Sequence, residues 1–169
     1  MFAMAAPAIS DPLPPTIHAS AVLVGAKAVL IRGPAGSGKS RLALALVDAG
    51  RSGLLPFARL VADDRAHVAA VHGRLLVRPA ERLAGLIEVR GLGLRRLPFE
   101  PVAVVGLVVD LAAEDAERLP PAPARATTID GIALPRLAVA PGQDPLTRVL
   151  ATTTTIQGGL CEAGIPALT

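Results

Sequence analysis

Residues 33–40 read Gly33-Pro34-Ala35-Gly36-Ser37-Gly38-Lys39-Ser40 and match the pattern G-x-x-x-x-G-K-[ST]. An apolar run at residues 28–31 comes before them, and a helical pattern at residues 41–47 follows. A strand, a glycine-rich loop and a helix in this order form the context that a phosphate-binding P-loop requires. The alternative is a glycine-rich turn before a helix, but the Lys-Ser pair in register with both elements favours the P-loop.

The residue types of this loop suit the binding of phosphate. Its glycines let the backbone turn tightly and approach a ligand without a side chain in the way. The amides of residues 36–40 then point to one spot at the positive end of a helix dipole, which makes a site for an anion. Lys39 adds a mobile charge for the outer phosphates, and the Ser40 hydroxyl can ligate Mg²⁺. We therefore predict that residues 33–40 bind ATP.

The composition limits the class of protein. A chain of 169 residues with 51% hydrophobic and 18% charged residues predicts one domain with a large core. The net charge is only +3, and no basic run is interleaved with aromatic residues, so we expect no nucleic-acid partner. The single cysteine, Cys161, excludes a disulfide within the chain and fits a reducing cytosol. No apolar run is long enough for a membrane span, so we expect a cytoplasmic protein.

The pattern along the chain predicts a mixed β-sheet with flanking helices, and not a simple doubly wound fold. Residues 102–109 form the most apolar β-branched run, and we expect a central strand covered on both faces. We expect a flexible leader at 1–15, a P-loop kinase catalytic domain at 16–157 and a disordered tail at 158–169. The other predicted elements are strands at 16–24, 28–31, 60–62, 67–71, 74–77 and 86–89, strand-like pieces within 127–140, a helical turn within 79–84, and helices at 38–49, stopping at Gly50, and at 144–153.

Three acidic sites at predicted strand ends are candidates for the metal and for a catalytic base. Asp63 and Asp64 are adjacent, so their carboxylates repel, which suits one metal contact and one base. The alternative is a solvated turn or a helix N-cap. Glu88 either faces the core at a cost or lies on a polar face beside Arg90. Asp110 follows a hydrophobic run, as in a Walker B strand, and is by pattern alone the best metal ligand of the three. Spacing does not separate these options.

The chain resembles the catalytic domain of the HPr kinase/phosphorylase family in the short form that lacks the N-terminal domain. The matching pieces are His18-Ala19-Ser20, the P-loop, R-L-V-A-D-D at 59–64 and L-I-E-V-R-G-L-G-L at 86–94. The last is the most specific, and the resemblance extends over residues 16–121. It implies an α/β fold with a P-loop kinase core like that of phosphoenolpyruvate carboxykinase. It also implies an ATP- and Mg²⁺-dependent kinase that phosphorylates a serine of the phosphocarrier HPr in the regulation of carbon metabolism, together with reverse phosphorolysis.

The resemblance also implies roles for individual residues. Asp64 matches the acid that takes the serine proton, although the residues leave open whether Asp63 is the base instead. His18 and Lys39 match active-site positions, and Ser40 and Glu88 match the magnesium ligands. Arg118, in A-E-R-L-P, matches an active-site arginine on a mobile loop. The resemblance leaves Asp110 as a strand-end acid, and it implies a homo-oligomer, a hexamer in longer members.

Three positions depart from the family pattern. Ala35 stands where the family usually has serine, so one phosphate-facing hydroxyl is missing. Ala140 and Gln143 stand where longer members carry arginines in a region tied to dephosphorylation, which counts against phosphorolysis more than against the kinase. Two alternatives therefore remain beside the protein kinase, namely a small-molecule kinase and a nucleotide-sensing protein with little turnover.

Overall fold

The computed structural model describes residues 13–154, so the expected tail at 158–169 and most of the expected leader lie outside the described residues. Within the described residues there are two α-helices, α1 (Lys39–Arg51) and α2 (Pro145–Thr154), and two 3₁₀ helices (Glu81–Leu83 and Ala122–Arg125). The strands are β1 (Thr16–Ile17), β2 (Ser20–Val24), β3 (Lys27–Arg32), β4 (Ala58–Ala62), β5 (Ala66–Val71), β6 (Arg74–Pro79), β7 (Leu86–Val89), β8 (Gly93–Arg96), β9 (Ala103–Leu111), β10 (Ala126–Ile129) and β11 (Ile132–Val139).

Strand β9 is the centre of the main sheet. It pairs in parallel with β3 along one edge, and its other edge pairs first with β6 (antiparallel) and then with β11 (parallel). The order through the sheet is β1-β5-β6-β9-β3-β2-β4, and β10 extends it from β11. Strands β7 and β8 form a separate hairpin. The mixed α/β fold predicted from the sequence is confirmed.

Two hydrophobic clusters cover the sheet, one on each face. The first includes Leu42 and Leu46 of α1, packed with residues of β3 and β9 and with Val149 of α2. The second includes Leu75 of β6, packed with residues of β3, β5 and β9. Because β9 contributes side chains to both clusters, it is the doubly covered central strand that its composition predicts.

Two predicted boundaries are wrong. The helix after the P-loop continues through Gly50 to Arg51. Gly50 is where α1 lies against β4, since a Cβ there would be 2.7 Å from the backbone nitrogen of Ala58. The single strand predicted at 16–24 is two strands, because β1 pairs with β5 whereas β2 pairs with β3 and β4. The break places His18 in the bend between β1 and β2.

Helix α2 begins where the sequence predicts it. The Asp144 carboxylate accepts hydrogen bonds from the amides of Leu146 (3.0 Å) and Thr147 (3.3 Å) and from the Thr147 hydroxyl (2.6 Å). These contacts, with the Thr147 hydroxyl contributing most, lower the pKa of Asp144. Among the residues that the structure describes, no helix is both long and apolar enough to cross a membrane.

Candidate active site

The P-loop connects the carboxyl end of β3 to α1. Gly33 lies close to the end of β9: a Cβ there would be 2.7 Å from the Ser37 hydroxyl and 2.9 Å from the Leu111 carbonyl oxygen. Gly38 is the N-cap of α1, with φ 98°, and no side chain in the described part of the chain caps the helix. The first amides of a helix have no partner within it. Because no side chain takes them in α1, they are free to donate to an anion at the loop.

The Lys39 side chain is folded into the loop. Its Nζ donates hydrogen bonds to the carbonyl oxygens of Gly33 (2.8 Å) and Pro34 (3.0 Å), and the residue is buried. Burial lowers the pKa of Lys39, and the negative charges of Asp64 and Asp63 oppose that shift. The ammonium is therefore held at the loop by two neutral carbonyl oxygens, which a negatively charged phosphate oxygen can replace.

A second group in the loop suits a phosphate. The Ser37 Oγ is buried and has no hydrogen-bond partner among the described residues. Buried hydroxyls nearly always have a partner, so an unpaired one needs an explanation. A phosphate oxygen would accept from this hydroxyl, and Ser37 thus offers the loop a donor even though Ala35 does not.

Asp63 connects the P-loop to two other parts of the site. It follows β4 and is 3% exposed. Its Oδ1 accepts from the hydroxyls of Ser20 (2.6 Å) and Ser40 (2.8 Å), and its Oδ2 lies 2.9 Å from the Ser40 Oγ and accepts from the Glu88 amide (3.1 Å). Strand β2 brings Ser20 here because it pairs with β4. Asp63 therefore orients the Ser40 hydroxyl and holds the backbone of Glu88 in place.

Asp64 has the opposite environment. Its side chain is 58% exposed, and its Oδ1 lies 3.2 Å from Nε2 of His18, which is also on the surface. Its backbone has φ 67°, in the left-handed region, which Asp tolerates better than most residues. The two adjacent acids thus differ in environment: Asp63 is enclosed by hydrogen-bond donors, whereas the Asp64 carboxylate is open to solvent.

The oxygen ligands around Asp63 fit a magnesium ion. The Ser40 hydroxyl and the carboxylates of Asp63 and Glu88 are hard oxygen donors of the kind that Mg²⁺ prefers. The Glu88 side chain is exposed, which rules out the core-facing alternative for it. Within residues 13–154 no group of three or more His, Cys, Asp or Glu side chains could hold a metal. A magnesium ion here would therefore depend on the Ser40 hydroxyl and on phosphate oxygens as well.

Asp110 does not belong to this cluster. Its carboxylate accepts two hydrogen bonds from Arg32 (2.7 and 2.9 Å) and one from Nε of Arg136 (2.6 Å). Burial alone would raise the pKa of Asp110, but the hydrogen bonds and charges of these two arginines outweigh it and hold the pKa below its usual value. Since both carboxylate oxygens are occupied by arginines, the structure favours the strand-end reading of Asp110 over the metal ligand.

Two separate cavities lie along β9 and β11, one at the ends of these strands and one at their middle. One, of about 700 Å³, is next to the P-loop and is lined by Gly36, Ser37 and Arg41 and by the segment that carries Ala140 and Gln143. The other, of about 650 Å³, is lined by Arg118 among other residues and contains no residue of the P-loop. No hydrogen bond or ion pair within the described chain joins Arg118 to Asp63 or Asp64, so the assignment of Arg118 to the active site stays a prediction.

Sequence reasoning missed three partners in this region. The hydrogen bond from Ser20 to Asp63 depends on the register of β2 against β4, which the sequence does not specify. Arg32 directly precedes the P-loop and Asp110 ends the neighbouring strand, so a parallel pairing of the two strands could have suggested their contact. Arg136 comes from β11, far along the chain, and no sequence signal points to it.

The chain is similar to known proteins over its first part. The family model for the HPr Serine kinase C-terminal domain matches residues 13–97, just over half of the chain. The HPr kinase/phosphorylase of Streptococcus thermophilus is 44% identical over 80 residues, which is 47% of this chain and 24% of that protein. The HPr kinase/phosphorylase of Clostridium beijerinckii is 36% identical over 88 residues, 51% of this chain and 27% of that protein. The match thus spans about a quarter of the length of these curated relatives.

The fold agrees with the sequence comparisons. A solved structure of the Hpr(Ser) kinase/phosphatase from Coxiella burnetii superimposes with a TM-score of 0.66 and 25% sequence identity, covering 82% of this chain and 93% of that one. The P-loop kinase fold predicted from the sequence is therefore confirmed. The matched range of the family model ends at residue 97, before Arg118, so the comparison by family does not reach that arginine.

Proposed function

The chain belongs to the HPr serine kinase C-terminal domain family, and from this premise we propose that it is an ATP-dependent kinase that phosphorylates a serine of the phosphocarrier HPr. The observation that carries the proposal is the separation of the two adjacent acids. Asp63 holds the Ser40 hydroxyl of the P-loop, and the exposed Asp64 is left beside His18 to accept a proton. A nucleotide sensor would need the P-loop but not an exposed base next to it.

In the proposed reaction, the phosphates of ATP lie against the P-loop amides. Lys39 exchanges its two carbonyl partners for oxygens of the outer phosphates, and the Ser37 hydroxyl donates to a phosphate oxygen. The Ser40 hydroxyl, which Asp63 orients, and the Glu88 carboxylate would hold magnesium, which when bound would supply positive charge to neutralise the phosphates. The amides and the ammonium are already in place before the reaction, so they stabilise developing charge without reorganisation.

The transfer step begins when the acceptor serine gives its proton to the Asp64 carboxylate. The serine oxygen forms a bond to the γ-phosphorus as the bond to the β–γ bridging oxygen breaks, and ADP leaves with that electron pair. His18 stays within 3.2 Å of Asp64 and positions its carboxylate. Arg118 is included in this proposal only because the chain resembles the family. In the structure Arg118 lines the other cavity, which contains no residue of the P-loop.

Fewer residues of this chain support reverse phosphorolysis than support the kinase reaction. Ala140 and Gln143, which replace arginines of longer members, both line the cavity next to the P-loop. The lost cations therefore belong to the surroundings of the phosphate site. The proposal also includes magnesium as the cofactor and a cytoplasmic location. It further includes a homo-oligomer, and light scattering of the purified chain would measure the mass of that assembly.

The test is phosphoryl transfer from γ-labelled ATP to purified HPr with magnesium, for wild type and Asp64→Asn. Loss of a general base lowers a rate by about 10²–10⁴-fold, so we expect serine-linked label to fall by that factor in Asp64→Asn. Asp48→Asn is the matched control, because the Asp48 side chain is 59% exposed, compared with 58% for Asp64, and within residues 13–154 it pairs only with Arg51. Lys39→Ala should abolish ATP binding.

Two outcomes would reject the proposal. ATP binding by wild type with no label on HPr would favour the nucleotide sensor, or a small-molecule kinase if a metabolite is labelled instead. Transfer that survives Asp64→Asn at the wild-type rate would remove Asp64 as the base.

A further inference from the structure

Ser20, at the start of β2, connects the interior of the sheet to the candidate active site. The residue is 0% exposed, and its Oγ donates to Oδ1 of Asp63 over 2.6 Å. Within residues 13–154 its hydroxyl has no other hydrogen-bond partner. A hydrogen bond from a hydroxyl to a carboxylate is stronger than one between two neutral groups. Ser20 belongs neither to the P-loop nor to the proposed magnesium ligands, so the proposed function gives this bond no role.

A β-bulge in β4 brings Asp63 to the face of the sheet on which Ser20 lies. The register of β2 against β4 shifts by one residue around Val61. Leu60 packs in the hydrophobic cluster on the α1 side, whereas Val61 and Ala62 both pack in the cluster on the other side. Side chains of a regular strand alternate between the two faces, so two consecutive residues on one face mark the point where the alternation breaks. Asp63, the next residue, then returns to the α1 side.

The pairing of Ser20 shows that it faces the same side. Ser20 pairs with Ile31 of β3, and Ile31 belongs to the cluster on the α1 side. The side chains of directly paired residues lie on one face of a sheet. A strand that alternated regularly from Leu60 would place Asp63 on the opposite face, away from both Ser20 and Ser40. The bulge is therefore what allows Asp63 to meet the two hydroxyls.

The hydrogen bonds at the two oxygens of Asp63 fix the orientation of its carboxylate. Ser20 donates to Oδ1, and the Glu88 amide donates to Oδ2 over 3.1 Å. The Ser40 Oγ lies 2.8 Å from Oδ1 and 2.9 Å from Oδ2, and it has a single hydrogen to donate. Because that hydrogen points to Asp63, the lone pairs of the Ser40 oxygen are left for a cation. Without the Ser20 bond the carboxylate is freer to turn, and the Ser40 hydroxyl turns with it.

We propose that Ser20 is a positioning residue for magnesium at the P-loop, which acts through Asp63 on the Ser40 hydroxyl. This rests on the part of the proposed function that assigns magnesium to Ser40, and not on the identity of the phosphate acceptor. A partner that orients a metal ligand in this way contributes about 10–100-fold to the affinity for the metal. A serine with only a structural role would change the stability of the fold but not the magnesium dependence of nucleotide binding.

The test is titration with ADP that carries a fluorescent methylanthraniloyl group, once with magnesium and once with EDTA. Ser20→Ala removes the hydroxyl, Ser20→Cys replaces it with a weak donor, and Ser20→Thr keeps it. Ser52→Ala is the matched control, since the Ser52 hydroxyl donates to the backbone carbonyl oxygen of Ala49 at the C-terminal end of α1. Thermal unfolding of each variant sets a common temperature at which all of them are folded.

We expect magnesium to raise the nucleotide affinity of wild type, and this increase should be about tenfold smaller in Ser20→Ala. Ser20→Cys should lose part of the increase, and Ser20→Thr should recover most of it. Ser52→Ala should stay within about twofold of wild type in both titrations, and Ser20→Ala should match wild type in EDTA. In the Asp63→Ala background Ser20→Ala should have no further effect, because both changes act through one carboxylate.

Four results would overturn the proposal. The first is a nucleotide affinity of wild type that magnesium does not raise, and the second is an equal magnesium effect in wild type and Ser20→Ala. The third is a loss in Ser20→Ala that is the same with magnesium and with EDTA, which would assign the effect to the shape of the P-loop. The fourth is an equal loss when Ser20→Ala is added to wild type and to Asp63→Ala, which would show that Ser20 does not act through Asp63.

This proposal and the proposed function can fail separately. Transfer of phosphate to HPr is a different assay, and nucleotide binding needs no acceptor protein. Binding that depends on magnesium and on Ser20 as expected, without label on HPr, would reject the proposed acceptor and support the role of Ser20.

Discussion

Replacing Asp63 by Asn is predicted to cost stability, whereas the same change at Asp64 is not. Asp63 accepts hydrogen bonds at both oxygens, from two serine hydroxyls and from the Glu88 amide. An asparagine has one acceptor oxygen and one NH₂ group. If the oxygen stays with the serines, the NH₂ group faces the Glu88 N–H, and two donors oppose each other in a buried place.

The magnitude follows from these contacts. An unpaired buried donor costs about 1–3 kcal/mol, and the remaining bonds lose the charge assistance of a carboxylate, about 1 kcal/mol in total. The sum is about 3 kcal/mol for Asp63→Asn, which corresponds to a fall in Tm of roughly 6–12 °C for a domain of this size. Asp64 is 58% exposed and Asn tolerates its left-handed backbone, so Asp64→Asn should move the Tm by about 2 °C or less.

The assay is thermal unfolding followed by circular dichroism, with both variants and the wild type in one buffer without nucleotide or magnesium. Equal Tm values for the two variants would refute the reasoning, because the same substitution would then have the same effect in a buried and in an exposed place. An unchanged Tm for Asp63→Asn would show that its three donors find other partners at no cost.

Three further predictions concern Asp110, at the end of β9, and Gly33 of the P-loop. Asp110→Asn removes the negative charge and one of the two oxygens that accept from Arg32 and Arg136, and it should lower the free energy of unfolding by about 3 kcal/mol. Asp115→Asn, at an exposed carboxylate, should be nearly neutral, and chemical denaturation of both variants measures the difference. Because the folded pKa of Asp110 is lowered, its contribution is present above about pH 4 and is lost as the pH falls through the folded pKa; Asp110→Asn should therefore lose less stability than wild type on acidification, and an equal loss would contradict this. Gly33→Ala places a Cβ 2.9 Å from the Leu111 carbonyl oxygen and should weaken ATP binding at least about tenfold, whereas Gly131→Ala, with φ 76° and nothing within 4 Å, should leave the affinity unchanged in the same titration.

Local patterns in the sequence predict much of this fold. The loop at residues 33–40, the hairpin of β5 and β6, the apolar strand β9 and the helix that Asp144 caps are all read from consecutive residues. The errors at Gly50 and at residues 16–24 have a common cause, which is contact between elements that are distant in the chain. A glycine ends a helix by local preference, but Gly50 instead serves the packing of α1 on β4.

In the candidate active site, too, the sequence predicts which residues take part but not the contacts that depend on distant elements. The sequence identifies Asp63 and Asp64 as a pair but does not say which one is enclosed, because burial depends on the turn between β4 and β5. The pattern also favours Asp110 as a metal ligand, whereas pairing with Arg136 depends on the position of β11. Resemblance to a family resolved this choice where the pattern of residues did not.

The left-handed backbone at Asp64 bears on how relatives of this chain could lose activity during evolution. A residue with φ 67° is replaced most easily by asparagine or glycine, since most other side chains would strain the turn. Both replacements are one base change from an aspartate codon, and both remove the carboxylate. If Asp64 accepts the proton as proposed above, the replacements that the fold tolerates best at this position would abolish phosphoryl transfer and leave the P-loop intact.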